Sequence, residues 1–175
     1  MKDKTAQLAK RATKGDASAF GELYSLFAGE MYRYALYSLG SKEAAQDAVQ
    51  DTALEAFKSI IKLKNEGAAK AWFFGILYNV CKRFQREKCR AEFTPLEFCG
   101  ELSSADTNEN VLNGLDLIRL IDTLSEQERE IVLLSAVCGY SGKEIADVTG
   151  IPHGTVRSKL SRALAKLREE TEGRK

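Results

Sequence analysis

Residues Ser141–Arg168 read SGKEIADVTGIPHGTVRSKLSRALAKLR, and their punctuation decides the fold. Ser141 followed by Glu144 is a capping-box start, in which hydroxyl and carboxylate each satisfy an unpaired backbone N–H. Ala146 is small, as a close helix crossing requires. Gly150 can take the left-handed conformation that ends a helix. Ile151 and Val156 then supply apolar contacts under a second helix. Small residue, glycine and β-branched residue at this spacing predict a helix-turn-helix. Val156, Leu160, Leu164 and Leu167 recur at three- and four-residue steps, which predicts a buried stripe. Between Pro152 and Arg168 there is no acidic residue, whereas Arg157, Lys159, Ser161, Arg162, Lys166 and Arg168 lie off the stripe. Such a face suits the DNA major groove, where arginine pairs bidentately with guanine. The competing reading is a solvated basic face on an ordinary helical hairpin. Pro152 fits a first helical turn, where its missing N–H costs nothing.

Outward from this unit the chain reads as helix. A first helix is expected over Thr5–Lys14, stopped at Gly15-Asp16. Asp16 caps a second helix with Phe20, Leu23, Tyr24, Phe27, Met31, Tyr34, Ala35 and Leu39 as its apolar side. Ser41 caps a third, from Lys42 to about Lys62. A polar turn, Lys64–Gly67, leads into a fourth from about Ala69 to Arg90. Periodicity then fails from Ala91 to about Asn113, a stretch that contains Glu92, Glu97, Glu101, Asp106 and Glu109 and no basic residue. This segment is expected to be a flexible acidic tether. Helical order resumes near Leu115, and Ser125 with Glu128 forms another capping box before Ile131–Leu134 and Val137. The expected architecture is all-α, two small helical domains at residues 1–90 and 114–175 joined by a linker at 91–113.

Composition narrows the classes. The chain has 175 residues and a formal net charge of +1. That balance would be unusual for a protein binding DNA by bulk charge alone, but the charges are segregated. No apolar run is long enough to span a bilayer, and the N-terminus lacks a signal-peptide core, so a cytoplasmic protein without membrane insertion is expected. Cys81, Cys89, Cys99 and Cys138 form no C-x-x-C pair, and the single histidine, His153, is far from the first three. Reduced thiols are the default, and neither a metal site nor a cofactor is expected. His153 suits the DNA face or an exposed helix start.

Two further patterns carry chemistry. Glu43, Asp47, Asp51 and Glu55 recur every four residues, an acidic stripe on the third helix opposite Val49, Ala53, Ala56 and Phe57. Like charges at this spacing weaken an isolated helix by a few tenths of a kcal/mol per pair. The stripe is either a dock for a basic partner or a solvated face. The fourth helix opens with Ala71-Trp72-Phe73-Phe74 and ends in Lys82, Arg83, Arg86, Lys88 and Arg90. Aromatics can stack on unpaired bases while cations track phosphates, although Trp72 and Ile76, four apart, read as core.

Together these residues resemble the extracytoplasmic-function (ECF) sigma factors of bacterial RNA polymerase. Gly15–Tyr24 resembles the family's opening helix pair and Glu43–Thr52 its polymerase-binding helix. Ala71–Asn79 resembles its promoter-melting helix. Leu124–Arg129 with Gly139–Arg168 resembles its promoter-binding domain. The resemblance implies an alternative sigma factor that binds core polymerase and directs promoter-specific initiation without being an enzyme. It implies that Asp47, Gln50, Asp51 and Leu54 grip the clamp of the largest polymerase subunit. Asn79, Lys82, Arg83 and Arg86 would contact the minus-10 element. His153 and Thr155, with Arg157, Ser158, Lys159, Ser161 and Arg162, would face the minus-35 element. An anti-sigma factor is the further partner implied. Phe73-Phe74 replaces a commoner leucine, and the Lys64–Lys70 turn is short for a base-capturing loop. Two other classes fit parts of the pattern: a stand-alone regulator using the same helix-turn-helix, and a helical adaptor whose basic face is incidental.

Overall fold

A computed structural model describes residues 2–92, 120–121 and 123–172. Its helices are α1 (Lys2–Ala12), α2 (Ala17–Leu39), α3 (Lys42–Ser59), α4 (Ala69–Glu92), α5 (Glu126–Ala136), α6 (Gly142–Thr149) and α7 (His153–Glu172), and there is no strand among the described residues. The expected acidic tether and the helical resumption near Leu115 lie almost wholly outside the described residues.

The expected caps form. The Asp16 carboxylate accepts from Ala19 N at 3.0 Å, and the Ser41 hydroxyl accepts from Ala44 N at 3.2 Å. Gly40 ends α2 with φ 69°. Boundaries differ modestly from expectation. The first helix starts and stops earlier, and the third gives way after Ser59 to a 3-10 turn at Ile60–Lys62. A second 3-10 turn, Glu66–Ala68, follows, with the Asn65 side chain accepting from Gly67 N. These two turns fill the short connection that leads into α4.

α2, α3 and α4 pack around Phe73, Phe74, Leu77, Leu23, Met31 and Tyr34, all at most 1% exposed. Phe73 is a hub, with its ring centroid 5.9 Å from Phe20, 5.8 Å from Phe27 and 5.3 Å from Trp72. Trp72 and Ile76 are partly buried against this core, as their spacing suggests. Phe57 departs from expectation. It is 53% exposed, and only its edge meets the Phe20 ring. The buried side of α3 is instead Ala45, Ala48, Val49, Thr52 and Ala56, small residues that let the helix approach α2 closely.

The C-terminal helices do not stand apart from this core. Ile131, Leu133, Leu134, Tyr140, Ile145 and Val156 belong to the same apolar cluster as Phe73 and Phe74. Phe74 meets Tyr140 edge to face at 5.6 Å, and Lys70 Nζ donates to the Cys138 carbonyl at 3.2 Å. α6 lies against α4, and α5 against α2.

Candidate nucleic-acid interface

The helix-turn-helix forms as its punctuation dictates. Ser141 N–H donates to the Glu144 carboxylate at 2.8 Å, and Gly150 closes α6 with φ 72° and its N–H on the Ala146 carbonyl. Pro152 stands just outside α7 rather than in its first turn, and its carbonyl accepts from Thr155 N and Val156 N. The buried stripe of α7 differs from expectation at one position. Val156 and Ala163 are buried and Leu160 and Leu167 pack beside them, whereas Leu164 is 50% exposed. The register 156, 160, 163, 167 keeps one narrow seam, and Leu164 falls one step off it.

Along α7, His153, Arg157, Ser158, Ser161 and Arg162 are exposed. Thr155 and Lys159 are half-buried. The His153 ring leans on the start of α6, where a Cβ at Gly142 would come within 3.2 Å of its Nε2. Lys159 turns toward α5. Hydrogen bonds from Ser125 hold the Glu128 carboxyl below its usual range, and the charges of Lys159 and Lys166 lower it further. The outward row is therefore Arg157, Ser158, Ser161 and Arg162.

The four residues expected at separated DNA come together. Asn79, Lys82, Arg83 and Arg86 line one open groove, walled by Ser38 and Ser41 at the α2–α3 corner and by Glu126 and Arg129 of α5. Two of the four already have anionic partners. Lys82 Nζ lies 2.5 Å from Glu126 and 2.7 Å from Glu130. Glu130 is 2% exposed and also accepts from the Tyr78 hydroxyl at 3.0 Å. Burial pulls the Lys82 ammonium down, but the two carboxylates outweigh it and hold its pKa above the usual lysine value. Burial also pushes the Tyr78 phenol up to about 12, and the Glu130 charge adds to that shift. Arg83 spans two carboxylates of α3, Asp51 at 2.8 Å and Glu55 at 2.9 Å.

On α3, Asp47, Gln50 and Leu54 are exposed and Asp51 half-buried, along one side of the helix. Leu54 is 58% exposed and continues into Phe57 and Ile61, the latter 74% exposed. The sequence reading missed that Phe57 and Ile61 extend this row. Their steps of three and four residues from Leu54 were the available signal. Among the described residues no group of three or more His, Cys, Asp or Glu is placed to hold a metal, and no helix is long and apolar enough to cross a membrane.

Comparison with known proteins places the chain in a family. Sigma-70 region 2 matches residues 23–91 and Sigma-70 region 4 matches residues 114–167. The ECF RNA polymerase sigma-E factor of Haemophilus influenzae is 31% identical, over 89% of this chain and 89% of its own length. The chain belongs to the ECF sigma factors. It is an alternative sigma factor directing transcription initiation, with a DNA-binding helix-turn-helix in region 4. The ECF sigma factor BldN of Streptomyces coelicolor is 32% identical, over 92% of this chain and 63% of that longer relative. The sigma factor RpoE of Bartonella quintana, solved in complex with the anti-sigma factor NepR, superposes with a TM-score of 0.77. That match covers 87% of this chain and 96% of that one, at 25% identity. The superposition extends over both groups of helices, so the all-α arrangement is one that a sigma factor adopts.

Proposed function

We propose that this sigma factor meets its partners on three faces. The α3 row of Asp47, Gln50, Asp51 and Leu54, extended by Phe57 and Ile61, docks the clamp of the largest subunit of core polymerase. Acid beside exposed apolar surface fits a partner helix that carries both basic and apolar residues. The groove of Asn79, Lys82, Arg83 and Arg86 takes separated strand at the minus-10 element, where cations track phosphates. The outward row of α7, with Arg157 and Arg162, enters the major groove of the minus-35 element, and His153, Thr155 and Lys159 flank it. Residues 1–90 act as the region 2 domain and 114–175 as the region 4 domain, tethered by 91–113.

The observation that carries this reading is the convergence of Asn79, Lys82, Arg83 and Arg86 on one groove beside the α3 face. RNA synthesis belongs to the polymerase, and this chain supplies binding alone. It works in the cytoplasm. An anti-sigma factor restrains it by holding the packed arrangement, as suggested by the likeness to RpoE in its complex with NepR. Transcription reconstituted from bacterial core polymerase and this chain on a promoter library tests the reading. Initiation at a shared pair of upstream elements is expected, and initiation no more selective than core polymerase alone refutes it.

A further inference from the structure

Arg83 belongs to two surfaces at once. Its guanidinium bridges from α4 to α3, with one nitrogen 2.8 Å from Asp51 Oδ2 and the other 2.9 Å from Glu55 Oε1. The same side chain lines the groove with Asn79 and Arg86. Asp51 and Glu55 are in turn part of the acidic row. Neither surface is therefore complete in the free chain: in the groove Arg83, like Lys82, is held by carboxylates, and in the row Asp51 and Glu55 share one arginine.

We infer that Arg83 is a coupling residue, handed from the α3 carboxylates to the nucleic-acid strand when a basic polymerase segment takes its place on Asp51 and Glu55. This rests on the three-face reading given above and adds the linkage between two of its faces. Exposure makes the exchange cheap. Arg83, Asp51 and Glu55 are 44%, 43% and 46% exposed, and such pairs contribute little stability in water. A deeply buried bridge would resist exchange, because parting it strands a charge. Arginine suits the role, since its planar fork serves two carboxylates or one phosphate with the same donors. Polymerase docking then raises affinity for the strand, and by linkage the strand raises affinity for polymerase by the same factor. A sigma chain away from polymerase keeps this cation occupied and binds stray DNA more weakly.

The test measures two affinities with the full chain at fixed salt, one for core polymerase and one for a single-stranded DNA oligonucleotide. Asp51→Asn/Glu55→Gln is expected to tighten strand binding by the isolated chain about fivefold, the scale of two exposed ion pairs. Glu22→Gln/Glu66→Gln removes the same charge from acids that do not touch Arg83 and controls for net charge. Arg83→Ala is expected to weaken strand binding yet tighten polymerase binding several-fold, and Arg83→Lys to fall between. Unchanged or weaker polymerase binding by Arg83→Ala overturns the coupling. So does a control variant that tightens strand binding as much as the Asp51/Glu55 pair. Failure of the underlying reading looks different: Asn79→Ala and Arg86→Ala would leave strand binding intact, or Leu54→Ala would leave polymerase binding intact.

Discussion

Lys82 Nζ sits 2.7 Å from the Glu130 carboxylate, a contact between residues 48 positions apart that ties α4 to α5. Glu130 is almost fully buried, and Tyr78 donates to its other oxygen. A buried carboxylate is tolerated only when paired and hydrogen-bonded, and here α4 supplies both partners. The N- and C-terminal helices thus share a polar tie as well as an apolar core. In this packing the Lys82 ammonium is occupied by protein carboxylates rather than free for phosphate.

Glu130→Ala leaves a half-buried ammonium and a phenol without their shared acceptor. Glu126 still pairs the ammonium, so a loss of about 1–3 kcal/mol is expected in urea denaturation. Lys82→Met with Glu130→Leu removes both charges and restores part of that loss, because the apolar pair needs no partner while the Tyr78 phenol still lacks its acceptor. If the double variant is as unstable as Glu130→Ala, the tie between Lys82 and Glu130 is not what stabilises the contact.

Phe73 touches Phe20, Phe27 and Trp72 and is fully buried, so Phe73→Ala opens a cavity at the centre of the N-terminal helices. A cost of about 3–5 kcal/mol follows. Phe57→Ala removes an exposed ring with one edge contact and is expected to cost under about 1 kcal/mol. Thermal unfolding of the two variants separates them. Equal losses would place Phe57 in the core after all.

Alkaline pH should destabilise the fold. Burial pushes the Cys81 and Cys138 thiols and the Tyr78 phenol each up to about 12, above their unfolded values near 9 for the thiols and 10 for the phenol. All three are neutral when protonated, so the folded state holds protons that the unfolded chain releases. Their contribution is full below about pH 9 and is lost progressively as pH rises toward 12. Circular dichroism under reducing conditions should show the urea midpoint falling across that window. The native thiols at these positions should also react with iodoacetamide at pH 8 far more slowly than in urea, since the thiolate is the nucleophile. A flat midpoint from pH 9 to 12 would contradict the burial assigned to these groups.

How much the sequence disclosed depends on the range of the interaction. Local signals were decisive: Asp16, Ser41, Ser125, Ser141 and Gly150 each mark a terminus that the structure places beside them, because a cap is settled within a few residues. Faces were legible to within one residue. Ala163 rather than Leu164 takes the seam of α7, since an alanine between leucines carries little apolar signal although it packs best where helices approach closely. Phe57 falls among the residues expected opposite the acidic stripe, yet α3 turns small residues inward and leaves its ring exposed. The ties from Lys82 to Glu130 and from Arg83 to Asp51 and Glu55 were invisible. Each side chain had a sufficient local account as an outward charge, and only the packing of distant helices joined them.

The helix-turn-helix offers a sharp contrast between two cations of one helix. Arg157 is exposed on the outward row of α7, and Lys159 is half-buried and turned toward Glu128. If Arg157 meets a base edge, Arg157→Ala should cost about 1–3 kcal/mol in holoenzyme binding to its promoter and relax preference at one base pair of the upstream element. Lys159→Ala should weaken binding less, and evenly across sequences, because its half-buried side chain lies on the α5 side of the helix rather than on the outward row. Binding of both variants to a library randomised in the upstream element reads the two outcomes separately. Relaxed base preference in Lys159→Ala with none in Arg157→Ala would reverse the assignment of the reading face.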